Sequence, residues 1–227
     1  MIESTTIAQN PYAPNGAQDV KLYAFNGCEA LCMSRLPSTV LSIGDYAFCY
    51  CGSLTELTLP EGLMSLGQGL FDSCTALERV VLPKTLLSIG AEAFWGCESL
   101  STIDIPKSVK YVGNGAFEYC STLRRVVIPE GVTILGESTF EGCSALESVV
   151  LPKSLTRIGE DAFRDCVAMR SVNIPENVVY VGAGAFDGCS VLQDVFYAGN
   201  VEDWADVTFV GPGFGDGVAL HCYEEEE

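Results

Sequence analysis

The densest chemical potential in this chain lies in its eleven cysteines, since a thiolate ligates zinc, closes a disulfide or attacks an electrophilic carbon. Eight of them, Cys28, Cys51, Cys74, Cys97, Cys120, Cys143, Cys166 and Cys189, stand 23 residues apart without a slip. That regularity argues against all three chemistries. Zinc needs ligands that converge, and the close pairs Cys28/Cys32 and Cys49/Cys51 lack a second C-x-x-C or a histidine partner. In stacked coils the thiols repeat about 4.8 Å apart with parallel Cβ vectors, whereas a disulfide wants Cβ atoms about 3.8 Å apart and facing each other. A column of buried free thiols, each packing as a small hydrophobe, is the expectation. Cys32, Cys49 and Cys222 fall outside the column and are expected to be the reagent-accessible ones.

Other reactive groups are sparse. His221 is the only histidine and stands near the end of the sequence, so no serine or cysteine triad is expected. Carboxylate pairs such as Glu160/Asp161 and Glu202/Asp203 could serve a hydrolase only if one acid were desolvated in a pocket. The run Gly211 to Gly217 has glycines like a phosphate loop but no lysine, and Asp203, Asp206 and Asp216 lack calcium-loop spacing. No metal and no cofactor are expected.

The elements that must position any site follow from the same period. Phe25, Phe48, Phe71, Phe94, Phe117, Phe140, Phe163 and Phe186 precede each column cysteine by three, and a leucine or Met169 follows it by three. Pro37 to Pro175 and Gly44 to Gly182 form two further columns at the same interval. In the coil from Phe71, the spacing Leu77-x-x-Val80-x-Leu82 reads as a short strand ended by Pro83. Leu86 and Ile89 then return to the core, and Gly90 is expected to supply backbone freedom at a bend. Such a chain is a stack of coils that cannot bury their apolar faces alone, and eight coils make a rod of about 40 Å with a phenylalanine spine. Phe94, Phe117, Phe140, Cys97, Cys120 and Cys143 are its expected central core columns.

The unit LSTIDIPKSVKYVGNGAFEYC, Leu100 to Cys120, resembles the BspA-like leucine-rich repeat, and the likeness extends over about residues 22–197. The following F-Y-A-G-x-x-x-D-W resembles the tail that closes such arrays. The resemblance implies a leucine-rich repeat solenoid, a right-handed stack of about eight 23-residue coils, with a concave parallel β-sheet and short strands or helical turns on the convex side. It also implies non-enzymatic adhesion or partner binding at a cell surface or in secreted form, although the opening residues carry no basic n-region and no apolar h-region, so no export signal is expected in them. The organisation expected is an N-terminal segment or partial cap at 1–21, the repeat array at 22–197, a C-terminal cap at 198–223 built on Trp204, Val207 and Phe209, and an acidic tail at 224–227.

A net charge of −18 disfavours nucleic acid and anionic membranes, and no apolar run of about 18 residues suggests membrane insertion. The charge is unevenly placed. The strands and their exits hold eight of the 12 basic residues and eight of the 30 acidic ones, so the turns, the opposite face and the ends carry the whole excess. On the strand face, outward Val81, Val127, Val150 and Phe196 are flanked by Arg79, Arg124, Arg125 and Arg170, a composition suited to an interface. The expectation is a scaffold binding a protein or a glycan there, with Trp95 on the opposite side as a second candidate anchor. A spacer rod and a carboxylate hydrolase are the rival readings, and the solenoid ends leave weak self-association open.

Overall fold

The computed structural model describes residues 16–31, 34–211, 213–215 and 217–223. The chain winds as a parallel solenoid with two strand ribbons and one turn ribbon per coil. The long-strand ribbon is made by the L-x-x-V-x-L segments, as Glu56–Thr58, Arg79–Val81, Arg125–Val127, Ser148–Val150, Ser171–Ile174, Asp194–Tyr197 and Ala219–Cys222. The short-strand ribbon is made by the residues before each column glycine. It runs through Asp19–Val20, Ser42–Ile43, Ser65–Leu66, Ser88–Ile89, Tyr111–Val112, Ile134–Leu135, Arg157–Ile158, Tyr180–Val181 and Thr208–Phe209. All pairings are parallel, and within the array partners differ by 23 residues, as in Val126↔Val149 and Arg157↔Tyr180. Val20 pairs with Ile43 at one end, and at the other Leu220 pairs with Val195 and Phe209 with Val181, so both ends contribute rungs.

The third side, Ala-x-Phe-x-x-Cys, is neither strand nor helix. Its residues two before and two after each phenylalanine hold left-handed backbone, for example Tyr46 (φ 54°), Tyr50 (φ 58°), Glu92 (φ 57°) and Gly96 (φ 63°). This alternation turns the amides of both flanking residues and of the phenylalanine toward the following coil. Tyr46, Phe48 and Tyr50 donate to the carbonyls of Gln68, Leu70 and Asp72 at 2.8, 3.0 and 2.8 Å, and the same triplet recurs from Tyr23 through Asp165. Glycine fills some of these positions and tyrosine, serine, aspartate or glutamate the others, so the ladder offsets the cost of a non-glycine residue at positive φ.

The core lies between the three ribbons. Phe25 to Phe163 are fully buried, their rings stacked at 4.8 to 5.6 Å between centroids; the Phe94, Phe117 and Phe140 rings are tilted by only 3° at each step. Phe214 continues the stack over Phe186 at 4.9 Å, with Trp204 and Phe209 against it. Thr139, where alanine is the rule, is buried with its hydroxyl donating to the Gly136 carbonyl at 2.9 Å. Helix Val201–Ala205 is a single short turn of the cap, started by Asn200, whose side chain accepts from the Asp203 amide at 2.8 Å.

Two expectations need correction. The column glycines are not at bends that require positive φ: a Cβ on Gly113 or Gly159 would stand 2.5 or 2.6 Å from backbone of the preceding coil, so glycine is there to let coils touch. The column cysteines do more than fill space. Each of Cys51, Cys74, Cys97, Cys120, Cys143, Cys166 and Cys189 donates its S–H to the carbonyl of the phenylalanine 26 residues earlier, at 3.0 to 3.3 Å. That carbonyl also accepts the amide of the cysteine in its own coil, as Phe94 does from Cys97 at 3.2 Å.

Two outcomes are expected in denaturant melts. Phe117→Ala, with rings above and below, costs about 3–5 kcal/mol, and a loss under about 1 kcal/mol would contradict the stacked spine. Gly113→Ala costs about 1–3 kcal/mol by forcing two coils apart, whereas alanine would be tolerated there if only a bend were at stake.

Candidate functional site

The outer surface of the long-strand ribbon carries the residues expected to bind. Alternation puts Val80, Val126 and Val149 inward and Val81, Val127 and Val150 outward, exposed by 39, 47 and 41%. Val127 and Val150 are direct register partners, as are Arg125 and Ser148. Arg124 lies alongside and bonds Glu147 of the next coil at 3.1 Å, both side chains largely in solvent, so this pair adds little stability. Arg170 follows Glu147 by one coil. Arg79 and Val81 stand apart from this group: they pair with Glu56 and Thr58, and the intervening coil contributes Thr102 and Asp104 to the same outward columns. The structure therefore brings together Arg124, Arg125, Val127 and Val150, with Arg170 beside them, and leaves Arg79 and Val81 two coils away. Phe196 is capped by the His221 ring at 4.6 Å, and His221 is tied to Asp194 at 2.7 Å.

Between the two groups the ribbon parts. Leu59 and Ile128 donate their amides to Val81 and Val150 of the next coil, both at 3.0 Å, but Leu82 has no such bond among the described residues. The following coil joins the ribbon by one bridge only, Thr102↔Arg125. Ile105 and Pro106 are half-buried, where Leu82, Pro83, Ile128 and Pro129 are buried. The gap is a groove of about 590 Å³ running over Val80, Leu82, Ile105 and Pro106, with Arg79, Lys84, Lys107 and Asp104 along it. Nothing in the spacing signals this parting, because LSTIDIP fits the repeat pattern.

A second surface also escaped sequence reasoning. Leu41, Met64 and Leu87, 55, 63 and 48% exposed, repeat in one column at the start of the short strands, and exposed Tyr111 and Ile134 continue the stripe in the next column. The signal was present: the residue three before each column glycine is outward, and in three successive coils it is large and apolar.

The remaining chemical candidates resolve as follows. The ten described cysteines are free, and among the described residues no group of three or more His, Cys, Asp or Glu could hold a metal ion. Cys49 corrects the expectation of reactivity: it is buried, and burial together with Asp72 pushes its thiol up to about 12. Cys28 and Cys222 are the partly exposed thiols, and Cys32 lies outside the described residues. Trp95 is not a lone exposed anchor. It is half-buried, edge-on to Tyr119 at 5.6 Å, and hydrogen-bonded to Glu118. Glu118 is raised above the ordinary carboxylate range by burial, with Glu141, Glu92 and Glu137 adding to it, but it sits on the turn ribbon away from the groove. The glycine-rich run serves the cap through Phe214, while its Pro212 and Asp216 and the tail 224–227 lie outside the described residues, as do 1–15. Among the described residues no helix is long and apolar enough to cross a membrane.

The family described as BspA type Leucine rich repeat region (6 copies) matches residues 4–124 and 111–211. The crystal structure of a leucine-rich repeat protein from T. pallidum is 31% identical, with a TM-score of 0.68 over 77% of this chain and 82% of that one. A leucine-rich repeat protein from Bacteroides ovatus is 25% identical, with a TM-score of 0.60 over 89% of this chain and 66% of that one. No curated protein matches the chain.

Burial of the thiol column makes stability depend on pH. Cys97, Cys120, Cys143, Cys166 and Cys189 are all raised above the ordinary thiol range, with burial the largest cause in each. Folded thiols stay protonated while unfolded ones ionise, so this contribution is complete below about pH 9 and is lost as the pH climbs. For Cys189 the loss ends near about 12. The unfolding free energy from urea melts should fall steeply above about pH 9, by about 1.4 kcal/mol per pH unit for each thiol, and Cys120→Ala should remove one thiol's share of the slope. A midpoint that stays level from neutral pH to about pH 10.5 would contradict the buried column.

Proposed function

The chain belongs to the BspA-type leucine-rich repeat family, whose members are generally non-catalytic scaffolds, and from that premise we propose that it is a recognition protein binding a protein partner on the outer face of its long strands. The observation that carries this reading is the cluster of Arg125, Val127 and Val150 on adjacent rungs: two exposed valines in register beside a guanidinium that makes no ion pair among the described residues. Aliphatic surface next to arginine is the composition of an interface centre. The surrounding strand positions balance in charge, so a partner meets there the one side that does not repel acidic proteins. A glycan is the second ligand class for the same face, and an adhesive role at a cell surface belongs to this proposal through the resemblance in its repeats.

Catalysis has no place in the proposal. The carboxyl with a raised pKa, Glu118, faces the turn ribbon, and His221 is engaged by Asp194 and Phe196.

The test is affinity capture from the native environment with the wild-type chain and the double variant Arg125→Glu, Val127→Asp side by side. Both positions are exposed, so the melting temperature should move by less than about 2 °C while capture is lost. Partner capture by the double variant at wild-type yield would reject this face.

A further inference from the structure

The parted ribbon supplies a second site, separate from the Arg125–Val127–Val150 face. We infer that the groove between the coils of Leu82 and Ile105 binds an acidic, extended peptide segment, its carboxylates held by Arg79, Lys84 and Lys107 and an apolar side chain set on Leu82 and Ile105. Three lines of observation lead there. The first is charge. In a chain of net −18, three cations line one groove against a single carboxylate, Asp104. None of the three is ion-paired among the described residues, and Glu61 is hydrogen-bonded to the Lys84 backbone amide at 3.0 Å rather than to its ammonium. Elsewhere Arg124 is paired with Glu147, Arg164 with Asp161 and Asp165, and Arg157 lies over the Tyr180 ring at 4.2 Å, while Arg125 and Arg170 are, like the groove cations, without an ion pair among the described residues; what sets Arg79, Lys84 and Lys107 apart is that they gather along one concavity. Unpaired cations gathered around a concavity attract an anion.

The second is backbone. The Leu82 amide lacks the bond to the next coil's carbonyl that Leu59 and Ile128 make at the same position, as the Ile105 amide does one coil on. An amide so placed is a further donor for a carboxylate or a peptide carbonyl. The third is size and lining. About 590 Å³ lies within the range of a ligand site, long and open enough for a few residues of extended chain. Its floor is aliphatic, which suits a peptide with apolar residues between its acids better than a fully charged ligand. Asp104, in the column that holds valine in Val81 and Val127, adds a carboxylate that discriminates against fully anionic chains without any apolar residue.

The experiment uses the full chain and fluorescence anisotropy with a labelled, acetylated peptide Glu-Leu-Glu-Glu-Leu-Glu, its Lys-Leu-Lys-Lys-Leu-Lys counterpart, and a sulfated disaccharide as competitor. The acidic peptide should bind, and raising salt from about 20 to about 200 mM should weaken it several-fold. Lys84→Glu with Lys107→Glu should weaken it at least about tenfold; both lysines are exposed, and unchanged melting of this variant and of the milder Lys84→Ala, Lys107→Ala confirms intact folding. Arg125→Glu, Val127→Asp should leave peptide binding unchanged, which separates this site from the partner face. No binding of the acidic peptide, equal binding of the basic one, indifference to the lysine variants, or displacement by the disaccharide with its own affinity higher than the peptide's would each overturn the inference.

Discussion

Every phenylalanine carbonyl of the turn ribbon, from Phe25 to Phe163, is asked to serve two masters: the amide of the cysteine three residues on and the thiol of the cysteine in the following coil. This double acceptance locks the height and the rotation of one coil against the next. Because S–H bonds are weak and directional, the fit tolerates no insertion: a coil one residue longer would take the thiol away from its carbonyl, the ring from its stack and the glycine from the backbone it must clear. The constant 23-residue interval is therefore a mechanical requirement of this contact rather than a habit of the sequence. Cysteine suits the position as few residues could. It is small enough for the crowded interior and carries one proton to give, which a buried alanine or valine lacks.

Much of the fold was legible because apolar side chains repeat where they must be buried. Phe117, Leu123, Val126 and Ile128 are buried by the same period that displays them in the sequence. What was not legible depends on backbone partners. The thiol bonds reach a carbonyl 26 residues back, and no side-chain pattern marks a carbonyl as half-used. The column glycines were read as bends because glycine does that elsewhere; only stacked coordinates show that the missing Cβ would strike a neighbouring coil. The left-handed positions flanking each ring were disguised by tyrosine and glutamate, residues that seldom adopt them.

The candidate site was legible in part for the same reason. Outward valines follow from strand alternation, and Val127 and Val150 do meet. Arg79 and Val81, placed with them by type, are separated by a coil whose sequence conforms to the pattern and whose strand does not form. Asp104 stands where its neighbours carry valine, and a carboxylate has lower strand propensity and no aliphatic surface to lay against Val81 or Val127. A carboxylate between two valines thus coincides with the loss of pairing, although the uncharged Thr58 and Asn173 of the same column remain paired, and the cations that line the opening come from two successive coils.

The turn ribbon has one further property. The amides by which it joins successive coils look toward the following coil, and the carbonyls they meet look back, from Tyr23 through Asp165. Peptide dipoles that add head to tail in this way give the turn ribbon a polarity along the stack, positive toward its last winding, while amides of the other ribbons, such as Gly90 and Gly113, donate to the preceding coil. Two copies meeting by their ends could match donors with acceptors only in tandem orientation, and such heterologous contacts do not close on themselves but propagate into filaments. Among the described residues none of the ribbon amides of Gly184, Phe186 and Gly188 bonds to the cap, whose irregular spacing seats Phe214 on the stack without extending the ladder. The segment that follows the last coil therefore continues the ring stack but not the directed ladder of amides.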